Sequence, residues 1–350
     1  MDIEPEFYCD YQLPRRFELL VYGYQIPLKH KFRGITERSG LLIHGPAGWA
    51  EVSPFWDYGI PYSARWLMGG IDAAVNGFPA ARRSVIPVNV TIPAVAPDVA
   101  YAIARASGAQ TAKVKIAEPG HSLLEDCERL AAVRDALGAD AKLRVDVNGR
   151  WSAQYAITAI AQLDRAAAGL EYVEQPCASV EELAQVRRKV NVRIAADESI
   201  RRSKNPLRVV AAEAADVAVL KNQPLGGVRG ALALAERLGL PVVVSSALES
   251  SVGLYAGLAF ASALPELPFA CGLGTAQLLE YDVTTSPLLP RDGEIDVREV
   301  SPNNMGAVQI GMHSPLRLRW QQRLADMWVY LQERGHMSSE ARCRWAQLPS

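Results

Sequence analysis

Six charged residues close otherwise apolar runs, and their types suggest a polar site along one rim of a sheet. Three are acidic: Asp146 after Leu143-Arg144-Val145, Glu174 after Glu171-Tyr172-Val173, and Asp197 after Ile194-Ala195-Ala196. Three are basic: Lys113 and Lys115 in Lys113-Val114-Lys115, and Lys221 after Val217-Ala218-Val219-Leu220. Neighbouring strands lie about 4.8 Å apart, so carboxylates at equivalent heights on three of them would converge and repel one another. Such a cluster needs a cation. With oxygen donors only and neither His nor Cys in the set, a hard divalent ion is expected over zinc: Mg²⁺, with Mn²⁺ able to substitute. The competing expectation is three unrelated acids, each capping the helix that follows it.

Residues two apart on a strand share a face, so Lys113 and Lys115 point the same way. A lysine ordinarily titrates near about 10.4, but burial and a neighbouring cation lower that value. Lys113 beside Lys115 is therefore expected to make an amine basic near neutral pH, fit to take a proton. Each lysine taken singly could equally be a surface residue that ends a strand.

These positions require elements that bring them together. From about residue 85 to 273 a short β-branched run followed by an amphipathic helix recurs every 25 residues or so. The candidate strands are 86–92, 112–116, 143–147, 170–174, 192–197, 216–221, 241–246 and 269–273. Strand alternating with helix means a parallel sheet. Ser122 with Glu125 and Ser179 with Glu182 form capping-box patterns that open two of the intervening helices. Eight such strands close into a (β/α)8-type barrel, and no GxGxxG supports an open dinucleotide-binding sheet instead. The acids then end strands three, four and five, while Lys115 and Lys221 lie four strands apart, across the mouth. Reactions on such barrels occur at the C-terminal strand ends.

The expected organisation is an N-terminal α+β capping module over residues 1–84, a barrel over 85–285, and a segment 286–350 that leaves the barrel. In that last segment Leu324, Met327, Trp328 and Leu331 have helical spacing and are expected to pack on the first module or on a neighbouring subunit.

Composition bounds the partners. The chain has 350 residues and 49% hydrophobic content, enough for a large buried core. With 37 Lys and Arg against 38 Asp and Glu, its net charge of -1 offers nothing to nucleic acid or an anionic membrane. The acidic opening Met-Asp-Ile-Glu-Pro-Glu is no secretory signal, and the apolar stretch near 253–264 is too short to span a bilayer, so a cytoplasmic enzyme with a small-molecule substrate is expected. The five cysteines form no CxxC pair, hence neither a zinc knuckle nor a disulfide framework. Oligomeric state is left open.

The set Lys113-x-Lys115, Asp146-x-Asn148, Glu174-Gln175-Pro176, Asp197-Glu198-Ser199 and Lys221 resembles the muconate-lactonizing subgroup of the enolase superfamily over roughly residues 20–290. The run Gly48-Trp49-Ala50-Glu51-Val52-Ser53-Pro54 is similar to that superfamily's capping-domain segment, with Ala50 where glycine is more usual. The resemblance implies a modified (β/α)7β barrel whose capping domain is completed by C-terminal residues. It implies that Asp146, Glu174 and Asp197 bind Mg²⁺ and that Lys115 is the general base, then the acid that protonates departing hydroxide. Lys221 would stabilise the enediolate, with Lys113, Asn148 and Glu198 in support. Arg144 shares a face with Asp146 and either orients this machinery or is a structural ion-pair partner.

Within the subgroup, Ser245-Ser246-Ala247-Leu248-Glu249-Ser250-Ser251-Val252-Gly253 is similar to the segment that o-succinylbenzoate synthases place beside the succinyl chain. Small hydroxyls and free backbone donors there would suit a carboxylate, making Ser245, Ser246 and Gly272 the expected substrate contacts. Dipeptide epimerases carry Asp-x-Asp after strand eight, whereas this chain has Cys271-Gly272-Leu273-Gly274-Thr275. None of His30, His44, His121, His313 and His336 closes a predicted strand, which disfavours sugar-acid dehydratases. The implied activity is a carbon-oxygen lyase reaction, dehydration of 2-succinyl-6-hydroxy-2,4-cyclohexadiene-1-carboxylate to 2-succinylbenzoate in menaquinone biosynthesis. The alternatives are N-acylamino acid racemisation at the same two lysines, a Schiff-base aldolase, and a non-enzymatic scaffold.

Overall fold

The computed structural model describes residues 6–346 apart from Met312, and of His30 only the backbone. The acidic opening pentapeptide and the His30 side chain, both used above, lie outside the described residues.

Three antiparallel strands come first: β1 (Glu18–Phe32), β2 (Ile35–Gly45) and β3 (Gly48–Val52). β13 (Arg342–Trp345), near the other end of the chain, adds to them beside β1, in parallel, giving the order β13-β1-β2-β3. Helix α1 (Ile60–Asn76) lies against this sheet. It begins with Pro61 in its first turn, where a missing N–H costs nothing, and ends at Gly77 with φ +70.

The next strands are β4 (Val85–Pro87), β5 (Val90–Ile92), β6 (Thr111–Lys115), β7 (Lys142–Asp146), β8 (Tyr172–Glu174), β9 (Ile194–Ala196), β10 (Val217–Leu220), β11 (Val242–Val244) and β12 (Glu294–Asp296). β5 to β11 form one parallel sheet in sequential order. Between or after them run α2 (Pro97–Ala106), α3 (Leu123–Leu137), α4 (Ala153–Ala166), α5 (Val180–Arg187), the short α6 (Glu198–Arg201) and α7 (Arg208–Ala211), then α8 (Gly227–Leu238), α9 (Ser251–Ala263), α10 (Met305–Val308) and α11 (Pro315–Glu333). Alternate strand residues face opposite ways. Tyr172, Ala195, Val217, Val219 and Val243 pack together in one small cluster, while Val173, Ala196, Ala218 and Val244 join the large core beneath the helices.

Two expected strands take a different form. The run 86–92 is split: β4 pairs antiparallel with β12, and only β5 belongs to the parallel sheet. The eighth strand, 269–273, is reduced to single bridges, Cys271 to Val88 and Gly272 to Ser245. Closure is nevertheless made, because the Cys271 N–H donates to the Pro87 carbonyl at 2.7 Å and the Gly272 N–H to the Val244 carbonyl at 2.8 Å. A long eighth strand is unnecessary when two residues bridge both edges.

Ser122 and Glu125 make the full reciprocal capping box at α3. At α5 only half of it forms. Ser179 accepts from the Glu182 N–H, but Glu182 turns its carboxylate to the Ser179 hydroxyl.

Leu324, Met327 and Leu331 of α11 are buried, and Trp328 meets the Phe17 ring at 6.4 Å. α11 also reaches the loop before α1. Arg323 donates to the carbonyls of Phe55 and Tyr58 at 2.9 and 2.7 Å and to the Ser63 hydroxyl at 2.7 Å. The N-terminal and parallel-sheet units meet at paired glycines. A Cβ on Gly69 of α1 would lie 2.3 Å from the Gly227 nitrogen, and Gly227 itself has φ +82. Among the described residues no helix is long and apolar enough to cross a membrane.

Candidate active site

The parallel register sets the height of each charged side chain. Lys115 is level with Asp146, and Asp146 with Glu174, so three of the six expected residues share one rung. Glu174, however, pairs with Ala195 on β9. Asp197 therefore stands one step beyond the rung on its face, not at the equivalent height expected above. One step below run Lys113, Arg144 and Tyr172.

The side chains form a lattice of ion pairs. Lys115 Nζ donates to Asp146 Oδ2 at 2.5 Å and to Asn148 Oδ1 at 2.8 Å. Lys113 Nζ bridges both Glu174 oxygens at 3.1 and 3.2 Å and lies 3.6 Å from Asp146. Across the barrel, Lys221 Nζ donates to Asp197 Oδ2, while Arg201 Nε donates to Asp197 Oδ1 at 2.8 Å. Arg201 also contacts Glu198 and the Tyr58 hydroxyl, each at 2.5 Å, and the Asn148 amide reaches Glu198 at 3.3 Å. Asp146, Glu174 and Asp197 are at most 1% exposed.

Charges so deeply buried shift one another. Burial opposes ionisation of Asp146, but Lys115 and Lys113 hold its carboxyl down at about 2. Asp197 is likewise held low, against burial, by Arg201 and Lys221. Glu174 goes the other way, to about 7, because burial and the Asp146 charge outweigh Lys113. Burial lowers Lys221, with Asp197 opposing. Lys113 is raised: burial would lower it, but Glu174 and Asp146 prevail. The amine expected to serve as a neighbour's positive tuner is thus firmly tied to Glu174.

Among the described residues no three His, Cys, Asp or Glu side chains are grouped as a ready-made metal-ligand set, since lysines and Arg201 engage the carboxylates. The donor chemistry nonetheless fits a hard cation. Three buried carboxylates supply oxygen only, burial and the Asp146 charge together oppose ionisation of Glu174 in the absence of a further cation, and Glu198 Oε2 is buried without a hydrogen-bond partner.

A cavity of about 810 Å³ opens over this lattice. Lys113, Lys115, Asp146, Asn148, Asp197, Glu198 and Lys221 line it, as do Ser245, Ser246 and Gly272. Gly272 is tightly placed: a Cβ there would meet Ser245 Oγ at 2.8 Å. The expected free backbone donors are absent from this wall. The N–H groups of Ser245 and Ser246 bond the carbonyls of Leu220 and Gly272, that of Ala247 bonds Glu249, and that of Leu248 bonds Ser246 Oγ. Arg144 does not line the cavity. It is fully buried, bonded to Glu171 at 2.5 Å and to the Ala270 carbonyl at 2.7 Å, and lies over Tyr172, as a structural ion-pair partner would.

Sequence reasoning missed Arg201, Tyr58 and the hairpin tip Lys31, Phe32 and Arg33, all of which border the cavity. Arg201 could have been found, since it follows Asp197 by four residues, one helical turn. Tyr58 and the hairpin tip carry no such local signal, because their position depends on how the N-terminal unit docks.

Comparison with known proteins agrees with this architecture. Residues 23–74 match the family model described as enolase N-terminal domain-like, and 97–304 the one described as enolase C-terminal domain-like. The o-succinylbenzoate synthase of Thermobifida fusca (strain YX) is 57% identical over 305 residues, 87% of this chain and 94% of that protein. The chain belongs to the o-succinylbenzoate synthase family of the enolase superfamily. The o-succinylbenzoate synthase of Mycobacterium leprae (strain TN) is 49% identical over 311 residues, covering 88% of this chain and 91% of the relative. Among solved structures, muconate lactonizing enzyme from Pseudomonas fluorescens complexed with muconolactone superposes with a TM-score of 0.70 at 21% identity, over 89% of this chain and 98% of that one. The L-Ala-D/L-Glu epimerase of Bacillus subtilis gives 0.68 at 21%, over 79% and 95%. At such identities these structures support the shared fold alone. Membership of the o-succinylbenzoate synthase family rests on the sequence relatives.

Proposed function

We propose that the chain is an o-succinylbenzoate synthase that dehydrates 2-succinyl-6-hydroxy-2,4-cyclohexadiene-1-carboxylate to 2-succinylbenzoate, a cytoplasmic step of menaquinone biosynthesis. The observation that carries this is the 57% identity spanning 94% of the Thermobifida fusca synthase. The lysine–carboxylate lattice supplies the mechanism.

In this reading residues 1–84, with help from 286–350, cap a barrel of 85–285, and substrate lies between Lys115 and Lys221. Lys115, as the free amine, takes the proton α to the substrate carboxylate; the electron pair left behind forms an enediolate. The same Lys115, now an ammonium, gives its proton to the departing hydroxide on re-formation of the carboxylate, so that water leaves and the ring becomes aromatic. Lys221 remains a cation and offsets the enediolate charge from the opposite wall. Asp146, Glu174 and Asp197 would hold Mg²⁺ or Mn²⁺, with Lys113, Asn148, Glu198 and Arg201 fixing their orientation. When bound, the metal supplies positive charge beside the substrate carboxylate and so makes the α proton more acidic. Ser245 and Ser246 offer hydroxyls, rather than backbone N–H groups, to the rest of the substrate.

N-acylamino acid racemisation is the second reading, favoured by the placement of a lysine on each side of the cavity. A Schiff-base aldolase is disfavoured because the sequence relatives are o-succinylbenzoate synthases. Purified protein assayed for both reactions should form 2-succinylbenzoate far faster than it racemises an N-acylamino acid. The reverse ranking would replace the first reading by the second.

A further inference from the structure

The wall formed after β11 is bent in an unusual way. Leu248, which lines the cavity and is 3% exposed, has φ +64, a left-handed conformation that strains any residue with a side chain. Such a conformation persists only where its surroundings hold it, and here two residues of the N-terminal sheet do so.

Arg38 of β2 is 3% exposed. Its Nε donates to the Leu248 carbonyl at 3.0 Å, and an Nη reaches the Ala247 carbonyl at 3.4 Å. The same Nη donates to Ser53, to Oγ at 2.9 Å and also to the carbonyl. The guanidinium lies 4.2 Å from the centre of the Phe55 ring, itself part of the cavity wall. Glu51 of β3 grips the far end of the same loop. Its Oε2 accepts from the Ser250 N–H at 3.0 Å, the Ser250 hydroxyl at 2.5 Å and the Gly253 N–H at 3.2 Å, at the N-terminus of α9 where an anion is favoured. Oε1 is held in turn by the Tyr24 and Ser53 hydroxyls at 2.7 and 2.6 Å. Residues 247–250 are thus fixed at both ends by side chains of another unit, through charge-assisted bonds.

We propose that Arg38 and Glu51 are positioning residues that hold Ala247 and Leu248 in their cavity-lining conformation, so that the N-terminal sheet sets substrate fit at the strand-seven wall. Neither touches the lysines or the carboxylates. Their loss therefore acts on binding before chemistry. The substrate named in the test rests on the function proposed above.

The test compares wild type with Arg38→Met, which keeps bulk and removes every donor, Arg38→Lys, which keeps the charge but cannot fork across two carbonyls, and Glu51→Gln. Arg38→Met should raise KM for 2-succinyl-6-hydroxy-2,4-cyclohexadiene-1-carboxylate about tenfold or more with kcat within about threefold of wild type; Arg38→Lys and Glu51→Gln should fall between. Hydrogen exchange at the Ala247, Leu248 and Ser250 amides should quicken in parallel, while amides of β6 to β9 stay protected. Unchanged KM, or unchanged exchange at those three amides in a folded Arg38→Lys protein, overturns the proposal. Wild-type protein that forms no 2-succinylbenzoate overturns the assigned reaction instead, and the exchange experiment then decides the positioning claim by itself.

Discussion

Lys115 rests on Asp146 and Lys221 on Asp197, so each amine assigned to the chemistry is held by a carboxylate assigned to the metal. Removing the amine therefore leaves its carboxylate available. Lys115→Ala should lower turnover by about 10²- to 10⁴-fold, the usual worth of a positioned acid–base group, while calorimetry still detects Mg²⁺ binding. Turnover within a fewfold of wild type would remove Lys115 from the mechanism. A second residue-scale prediction concerns Glu249, 1% exposed, whose carboxyl is pushed up to about 7 by burial and by nearby Glu51. Because the folded protein holds this proton more tightly than the unfolded chain, the contribution is full below about pH 4 and is lost as pH rises through 7. Glu249→Gln should accordingly gain stability over wild type on going from pH 5 to pH 8, by up to roughly 3 kcal/mol, in denaturant titrations. A difference that does not vary with pH would contradict this. Most of the polar site was legible in the sequence, since Lys113, Lys115, Asp146, Glu174, Asp197 and Lys221 all close or follow apolar runs. The pairing among them was not, for it depends on the one-step offset that puts Asp197 above the rung of Glu174.

At the scale of elements, α1 and α8 approach as closely as backbone permits. Gly69 meets Gly227 where any Cβ would overlap main-chain atoms, and only glycine tolerates φ +82 at 227 without strain. Gly69→Ala should therefore cost about 1–3 kcal/mol in chemical denaturation and loosen the N-terminal unit, since backbone cannot shift as a flexible side chain does. A wild-type midpoint would show that the contact is not tight in solution. The alternation of strand and helix was readable because parallel strands covered on both faces are continuous apolar runs. Splitting of 86–92 was not, as β4 is claimed by β12, some two hundred residues away, and the reduction of 269–273 to two bridges depends on ring closure. Sequence alone also suggested free N–H groups along 245–253. The side chains of Glu51, Glu249, Ser246 and Asp282 consume several of them, and that is a matter of tertiary contact.

At the scale of the whole molecule, both ends of the chain come to the site. β13 extends the N-terminal sheet, Arg323 of α11 fixes the carbonyls of Phe55 and Tyr58, and Tyr58 meets Arg201 beside Asp197. The cavity is thus lined by both units, with Lys31, Phe32, Arg33, Phe55 and Tyr58 coming from the N-terminal one and the lysine–carboxylate lattice from the parallel strands and the turns that follow them. In the proposed dehydration these charges hold a divalent metal. The most direct test is 2-succinylbenzoate formation by the purified chain after EDTA treatment, with and without added Mg²⁺. Almost no product is expected in EDTA, with full recovery on addition of excess Mg²⁺. Equal rates in both conditions, or no product with the metal present, would contradict this reading.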